Sequence, residues 1–463
     1  MKTKLMGGAY KMHTQAILLA AGKGTRMKSE RPKVLHEICG KSMLSYVIDN
    51  VKNADIEKIA VIAGYKSDEV IKSIEGSAIK TYIQSEQLGT GHAVMQAAEF
   101  IDDNAYVVVL CGDAPLVDSD TIIKLCSYTF NNKKEAVVLS ARLDNPFGYG
   151  RIVRNNKNEF EKIVEQKDAS EEEESITEIN SGVYCFLGKA LKLALNNLNN
   201  NNKQNEYYLT DTIEYLLSNG YNIGVIEEDN CDIIKAVNDR CQLAELEKFM
   251  RKKINKKWML LGVSMIDPDT TYIASDVVLK EDVTLYPGVV IEKGSKIGKG
   301  CVVTSGSIIT NSKIGKNCYI QNSVITDSIV GDNVKIGPYA HLRPKSRLSD
   351  NVKIGNFVEI KNSSFGKNSK SSHLTYIGDA EIGENVNLGC GVVFVNYDGK
   401  NKNLTVVEDD CFVGCNVNLV APVRVKKGAY IAAGSTITED VEEYALAIAR
   451  SKQVNKENWV KNK

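Results

Sequence analysis

The chain has 463 residues, with 58 Lys plus Arg against 58 Asp plus Glu, so its formal net charge is zero. That balance excludes bulk electrostatic capture of nucleic acid or of an anionic membrane, both of which need a basic face. With 43% hydrophobic and 25% charged residues the chain can bury full cores, and at about 150 residues per domain it predicts three domains, or two and a connector. No apolar run approaches the ~20 residues that span a bilayer. The start, MKTKLMGGAYKMHTQ, holds no apolar core of signal-peptide length, and the segment before Met12 reads as an upstream start or an expression remnant. Eleven Cys, an odd number with no CxxC pair, argue against structural disulfides and a thiolate zinc site. A reducing cytoplasm is the expected compartment.

The first ~230 residues alternate short apolar runs with helical patterns. Ala16–Leu19, Ile59–Ala63, Tyr106–Leu110 and Ala136–Ser140 are nearly continuous aliphatic runs, as expected of strands covered on both faces. Ser42–Ala54 and Thr90–Ile101 read as helices between them. The alternation predicts an α/β domain on a mainly parallel, Rossmann-like sheet, with chemistry in the loops at the carboxyl ends of the strands. Glu171–Glu174 reads as a solvated loop, and Asn196–Asn202 as a polar loop. From Asp239 to Trp258, Leu243, Leu246, Met250 and Ile254 recur at steps of three and four, which predicts a connecting helix.

After Asp267 the period becomes six. Aliphatic residues stand at Leu279, Leu285, Ile291, Ile297, Val303 and Ile309, and again at Val324, Val330, Ile336, Leu342, Leu348, Ile354 and Ile360. Further blocks carry Ile382, Leu388 and Phe394, then Val407, Val413, Leu419, Val425, Ile431 and Ile437. A helix needs a period of 3.6 and a half-buried strand a period of 2, so six marks a parallel β-helix. The aliphatic residue points inward, and the Gly that often follows it is expected to turn the corner. Phase slips mark insertions: Asn396–Lys402 is expected to protrude as a loop, and His373 to lie in another insertion. The expected domains are 12–238, a helical linker 239–260, and 261–463.

The first strand ends in Leu19-Ala20-Ala21-Gly22-Lys23-Gly24-Thr25-Arg26-Met27, with Arg31-Pro32-Lys33-Val34-Leu35 close behind. The loop lacks the third Gly of GxGxxG and the GK[ST] of a Walker loop. Its glycines would let backbone N–H groups approach phosphates, and Arg26 and Lys33 would supply positive charge where a phosphoryl group transfers. LAAGKGTRM followed by PKVL resembles the sugar-phosphate nucleotidyltransferases. Gln84–His92, Gly112-Asp113, Gly148–Arg151, Glu165, Asn180-Ser181-Gly182 and Asn238 follow in that family's order. With the hexapeptide region behind, the chain resembles, from about Thr14 to Trp459, the bacterial bifunctional N-acetylglucosamine-1-phosphate uridyltransferase/glucosamine-1-phosphate acetyltransferases.

The resemblance implies that UTP and N-acetylglucosamine 1-phosphate give UDP-N-acetylglucosamine and pyrophosphate, with Arg26 and Lys33 catalytic. It implies Mg²⁺ held by Asp113 and Asn238; that ion prefers oxygen ligands and keeps several waters. It implies nucleotide-sugar contacts from Leu19, Ala20, Ala21, Gly22, Lys33, Gln84, Gly89, Thr90, Cys111, Gly112, Asp113, Gly150, Glu165, Asn180 and Asn238. Cys111 is a departure, since relatives carry Tyr before Gly-Asp.

For the hexapeptide region the resemblance implies acetyl transfer from acetyl-CoA to glucosamine 1-phosphate, with His373 as base. An unperturbed His titrates near neutrality, which suits proton removal from an amine. Arg343, Lys361, Tyr376 and Asn387 match sugar-phosphate positions. Cys390, Asn396, Tyr397, Cys415, Ala433 and Arg450 match acetyl-CoA positions. Cys390 and Cys415 are departures where relatives often have Ala and Ser, and they would make the CoA pocket thiol-reactive. A left-handed coil and a homotrimer with shared acetyl sites are implied, with the tail bearing Arg450 and Trp459 reaching a neighbour. Two alternatives stand beside this reading. One is a monofunctional nucleotidyltransferase with a regulatory β-helix. The other is a catalytically silent scaffold.

Overall fold

The computed structural model describes residues 12–461, so the expectation for the segment before Met12 lies outside the described residues. The chain divides into two compact units, with the boundary between Glu247 and Lys248. That boundary falls inside the helix Arg240–Leu260, which covers the predicted connecting helix.

The first unit is built on a sheet whose path runs Ile223–Glu228, Ala136–Arg142, Glu178–Leu187, Tyr106–Cys111, Thr14–Ala20, Lys58–Ala63, Lys80–Ile83. Only Glu178–Leu187 on this path runs antiparallel to both its neighbours. Alternate residues serve two cores. Ala16, Leu18, Val108 and Leu110 pack on one face, while Ile17, Val107 and Val109 pack on the other. That double burial explains the unbroken aliphatic runs. From Thr14–Ala20 the chain first builds outward through Lys58–Ala63 and Lys80–Ile83. It then returns to place Tyr106–Cys111 on the opposite side of the first strand. The strand order reverses there, so a crevice opens beyond the carboxyl ends of Thr14–Ala20 and Tyr106–Cys111.

Local signals explain the helices. Ser42 caps Met43–Asn53 by accepting from the Ser45 N–H. Thr90–Ile101 is not one helix: an α-helix ends at Met95, and Ala98–Phe100 is a separate 3₁₀ turn. Glu171–Glu174 is a short helix rather than a loop, closed by a capping box between Ser170 and Glu173. Its lack of any buried residue matches the solvated surface expected.

The second unit is a parallel β-helix of three sheets with 11, 10 and 9 strands, each strand pairing with its counterpart one coil on. Leu285 pairs with Val303, Ile291 with Ile309 and Ile297 with Ile314, and all are buried in one continuous core. Each fully buried aliphatic contributes about 1.5–3 kcal/mol, so the stack of inward residues carries the fold.

Three details correct the sequence reading. Ile325, not Val324, points inward, because Ile309 pairs with Ile325 across a shortened coil. His373 does not lie in an insertion. It ends the regular strand Lys370–His373 and pairs with Asn356. The phase was lost because the inward position of that strand is the buried Ser371, polar where an aliphatic was sought. Finally, the Gly after the aliphatic does not turn the corner. The left-handed turns fall three positions before the inward residue, at the glycines Gly288, Gly294, Gly300 and Gly306 in the first coils and at Asn317, Asn333, Asn351, Asn368 and Asn385 further on. Asn tolerates this conformation, and the side chains of Asn351, Asn368 and Asn385 hydrogen-bond up the corner at 3.1 Å each. The Gly after the aliphatic serves close approach instead: a Cβ on Gly355 would sit 2.0 Å from the Ser372 carbonyl oxygen. The real insertion lies where Ile382 pairs with Val407, and its exposed loop is pinned by a bridge between Tyr397 and Lys402.

Candidate active sites

In the first unit the loop after Thr14–Ala20 and the loop after Tyr106–Cys111 are tied by the Gly112 N–H donating to the Leu19 carbonyl at 2.9 Å. Gly24 has φ +62°, and its missing Cβ would lie 2.7 Å from Lys33 Cβ, so this glycine folds the loop onto Lys33. Gly22 faces open space instead, on the side where a ligand approaches.

Lys33 Nζ pairs with Asp113 Oδ2 and donates to Asn238 Oδ1 at 3.1 Å. Arg26 Nη2 donates to the same Asn238 oxygen at 2.9 Å. The Val237 N–H donates to the Asp113 carbonyl at 3.2 Å, which brings the distant Asn238 to the crevice. Asp113 is buried, so two oxygen donors converge on a cationic group at the floor of the site. Beside them is a cavity of about 300 Å³. Leu19, Ala20, Ala21, Gly22, Lys33, Gln84, Gly89, Thr90, Cys111 and Asp113 line it, together with Val34, Gln87, Ala93 and Glu206. Gln84 is buried and donates to the Gly89 carbonyl at 3.0 Å, setting the Gly89–Thr90 turn. Thr90 in turn accepts from the Leu209 N–H at 3.0 Å. Burial pushes the Cys111 thiol up to about 12, with the Asp113 charge adding to the rise, so Cys111 is an inert wall.

Gly150 and Asn180 meet through the Asn180 N–H and the Gly150 carbonyl at 2.9 Å, and the Asn180 side chain donates to the Tyr184 hydroxyl at 2.7 Å. Glu165 lines a second cavity of about 560 Å³ instead of the 300 Å³ one. Thr210 Oγ1 donates to its carboxylate at 3.1 Å, and burial raises its pKa. Thr210 and Glu206 were not singled out from the sequence, because the run Glu206–Thr210 carries no motif strong enough to find them; Gln87 lies within the Gln84–His92 motif but was given no role of its own.

In the second unit the register lines up one corner of the prism. Ser371 pairs with Leu388, Leu388 with Val413, and Val413 with Ile431. The residues two positions on, His373, Cys390, Cys415 and Ala433, therefore stack in one column about 4.8 Å apart per coil. His373 is exposed, and its Nδ1 bonds Asn356 Oδ1. The partner oxygen can only accept, so Nδ1 carries the hydrogen and Nε2 is the nitrogen left for a substrate. Cys415 is exposed and Cys390 half-buried. Arg450 lies beside this column, with its Cδ 3.9 Å from where a Gly434 Cβ would be. Trp459 is exposed.

Arg343 and Lys361 stand at the far end of the next face, one position past the inward Leu342 and Ile360. The Lys402 ammonium in the inserted loop lies against that of Lys361 and lowers its pKa, with Arg343 adding to the effect. Three cations thus converge where a phosphate is expected. Lys402 was missed because no period leads to it. Asn396 joins this edge by donating to Asp379 at 2.6 Å. Tyr397 is exposed, with its hydroxyl on the Gly399 carbonyl at 2.7 Å. Tyr376 opens the second face, and Asn387 stands on the outer side of the first. A single chain therefore divides the predicted acetyl-transfer residues between two prism edges. Among the described residues no group of three His, Cys, Asp or Glu could hold a metal, and no helix is long and apolar enough to cross a membrane.

Residues 15–262 match the nucleotidyl transferase family model, and residues 327–362 match that of the bacterial transferase hexapeptide (six repeats). The bifunctional protein GlmU of Clostridioides difficile (strain 630) is 53% identical, covering 98% of this chain and 98% of its own. That of Geobacillus sp. (strain WCH70) is 52% identical over 96% of this chain and 97% of its own. That of Clostridium novyi (strain NT) is 52% identical over 98% and 99%.

Proposed function

The chain belongs to the GlmU family of bifunctional enzymes, and from that premise we propose how its residues divide the work. The enzyme makes UDP-N-acetylglucosamine by acetylating glucosamine 1-phosphate with acetyl-CoA and then joining the product to UTP. The observation that carries the reading is the pair of independent constellations. Lys33, Asp113, Asn238 and Arg26 converge at the strand-order reversal of the first unit. His373, Cys390, Cys415 and Ala433 stack on one corner of the second.

In uridylyl transfer a phosphate oxygen of N-acetylglucosamine 1-phosphate attacks the α-phosphorus of UTP in line, and pyrophosphate leaves. The Leu19–Gly22 loop and Gln84, Gly89 and Thr90 hold the nucleotide in the 300 Å³ cavity. Gly150, Glu165 and Asn180 hold the sugar. Lys33 and Arg26 offset the charge that develops on the phosphates. Asp113 and Asn238 suit Mg²⁺, since both present oxygen donors to a point where a cation, the Lys33 ammonium, already sits. When bound, that ion would neutralise phosphate charge.

In acetyl transfer His373 Nε2 takes the proton from the attacking 2-amino group, the nitrogen bonds the thioester carbon as the C–S bond breaks, and His373 returns the proton to the departing sulfur so that CoA leaves as the thiol. Arg343, Lys361 and Lys402 bind the phosphate, with Tyr376 and Asn387 on the sugar. Cys390, Asn396, Tyr397, Cys415, Ala433 and Arg450 border acetyl-CoA. Because Arg343 and Lys361 lie on a different edge from His373, a complete site needs a second copy. We propose that the copies form the homotrimer with shared acetyl sites that the family resemblance implies. Cytoplasmic residence belongs to the same proposal, supported by eleven free thiols.

The test follows CoA and pyrophosphate separately with glucosamine 1-phosphate, acetyl-CoA, UTP and Mg²⁺. His373→Ala should abolish CoA release yet still make pyrophosphate from N-acetylglucosamine 1-phosphate, and Lys33→Ala should do the reverse. A wild type that makes pyrophosphate but no CoA supports the monofunctional reading. One that makes neither supports the scaffold.

A further inference from the structure

The outer surface of the first β-helix sheet carries a column one position before each inward residue. Its registers run Tyr319 to Lys335, Lys335 to Lys353, Lys353 to Lys370, Lys370 to Asn387, Asn387 to Phe412, and Phe412 to Tyr430. Three lysines are therefore stacked in register, about 4.8 Å apart at the backbone, and all three are exposed. Like charges placed directly opposite on neighbouring strands destabilise a sheet.

Acidic partners would relieve the repulsion, and the fold uses them elsewhere. Lys299 pairs with Glu281 at 3.3 Å, and Lys367 with Asp350 at 3.6 Å. Among the described residues none of Lys335, Lys353 and Lys370 has a carboxylate within ion-pairing distance. Asp332 and Asp350, each three positions before a ladder lysine, cap backbone N–H groups of the neighbouring coil instead. The ladder is thus an uncompensated cationic strip. It has a direction, because its upper end meets Asn387 in the next coil. Above Asn387 the column turns aromatic, with Phe412 and Tyr430 stacked at 4.5 Å, a surface without positive charge to hold an anion.

We propose that Lys335, Lys353 and Lys370 form an anion track that gathers a sugar-phosphate dianion and delivers it to the acetyl-transfer site at Asn387. The inference rests on the acetyl-transfer reading above. A dianion within one Debye length, about 8 Å at physiological salt, feels several of these charges together. A strip of one sign raises the local concentration of its counter-ion.

The test compares wild type, the triple variant Lys335→Gln/Lys353→Gln/Lys370→Gln, and the control Lys296→Gln/Lys313→Gln. The control removes an in-register lysine pair from a different sheet. CoA release is measured against glucosamine 1-phosphate at roughly 0.05 M and 1 M salt, and sedimentation records the oligomer. The triple variant should raise the KM for glucosamine 1-phosphate about 5- to 10-fold at low salt and less than about twofold at 1 M, where the Debye length is about 3 Å. The control should keep the wild-type KM. An active wild type with an unmoved KM in the triple variant overturns the track alone. So does a shift confined to acetyl-CoA, or a triple variant that sediments as a smaller oligomer, since the ladder is then a subunit contact. A wild type that releases no CoA overturns the acetyl-transfer reading and the track with it.

Discussion

The His373–Asn356 pair makes a prediction whose size follows from the structure. Asn356 stands one coil below His373 in register, and its Oδ1 accepts from Nδ1. This bond fixes both the ring orientation and the tautomer that leaves Nε2 free to accept a proton. A net hydrogen bond is worth about 0.5–1.5 kcal/mol, a factor of about 2–12 in population. Asn356→Ala should therefore lower the kcat of CoA release by about 2- to 12-fold and leave uridylyl transfer unchanged. Asn356→Asp, whose carboxylate oxygen can accept the same Nδ1–H bond, should restore most of the kcat. Steady-state CoA release reads both effects. The reasoning fails if Asn356→Ala keeps full kcat, or if the loss exceeds about 10³-fold, a size that belongs to the loss of a residue acting on the substrate itself.

Other expectations follow from single residues. Ser371 Oγ is buried without a partner, so Ser371→Ala should stabilise the β-helix by about 1 kcal/mol in urea unfolding; a destabilised variant would mean that the hydroxyl is satisfied. Burial, then Glu214, Glu165 and Asp168, push Asp211 up to about 7. A raised carboxyl favours folding while it is protonated, so this contribution is lost as pH rises from about 4 through 7. Asp211→Asn should accordingly be more stable than wild type at pH 8 and converge with it near pH 4, and a pH-independent difference refutes the assignment. Cys415 is exposed at the acetyl-CoA corner, so a bulky maleimide should block CoA release, acetyl-CoA should protect, and Cys415→Ser should be immune. Intact turnover of the labelled enzyme refutes a thiol-reactive pocket.

How much of this was legible depended on whether a contact had a period. The hexads showed the prism because one aliphatic per face recurs along the chain, and the glycine loop showed the nucleotide cavity because its contacts are nearly consecutive. The reading slipped at Val324, where a coil is shortened and Ile325 takes the inward place. It slipped again at His373, where Ser371 hides the inward position. Both are failures of a hydrophobic signal to report geometry that the backbone still keeps. Once the coil is known, the lost information returns by translation: one coil from His373 leads to Asn356 below and Cys390 above. The same step assembles Lys335, Lys353 and Lys370 into a strip that no local window contains. Lys402 and Thr210 are of a different kind. The first reaches Lys361 from a loop outside the repeat, and the second reaches Glu165 across 45 positions of an α/β fold with no internal period. For residues like these the sequence offers no ruler, and only the folded chain brings them to the site.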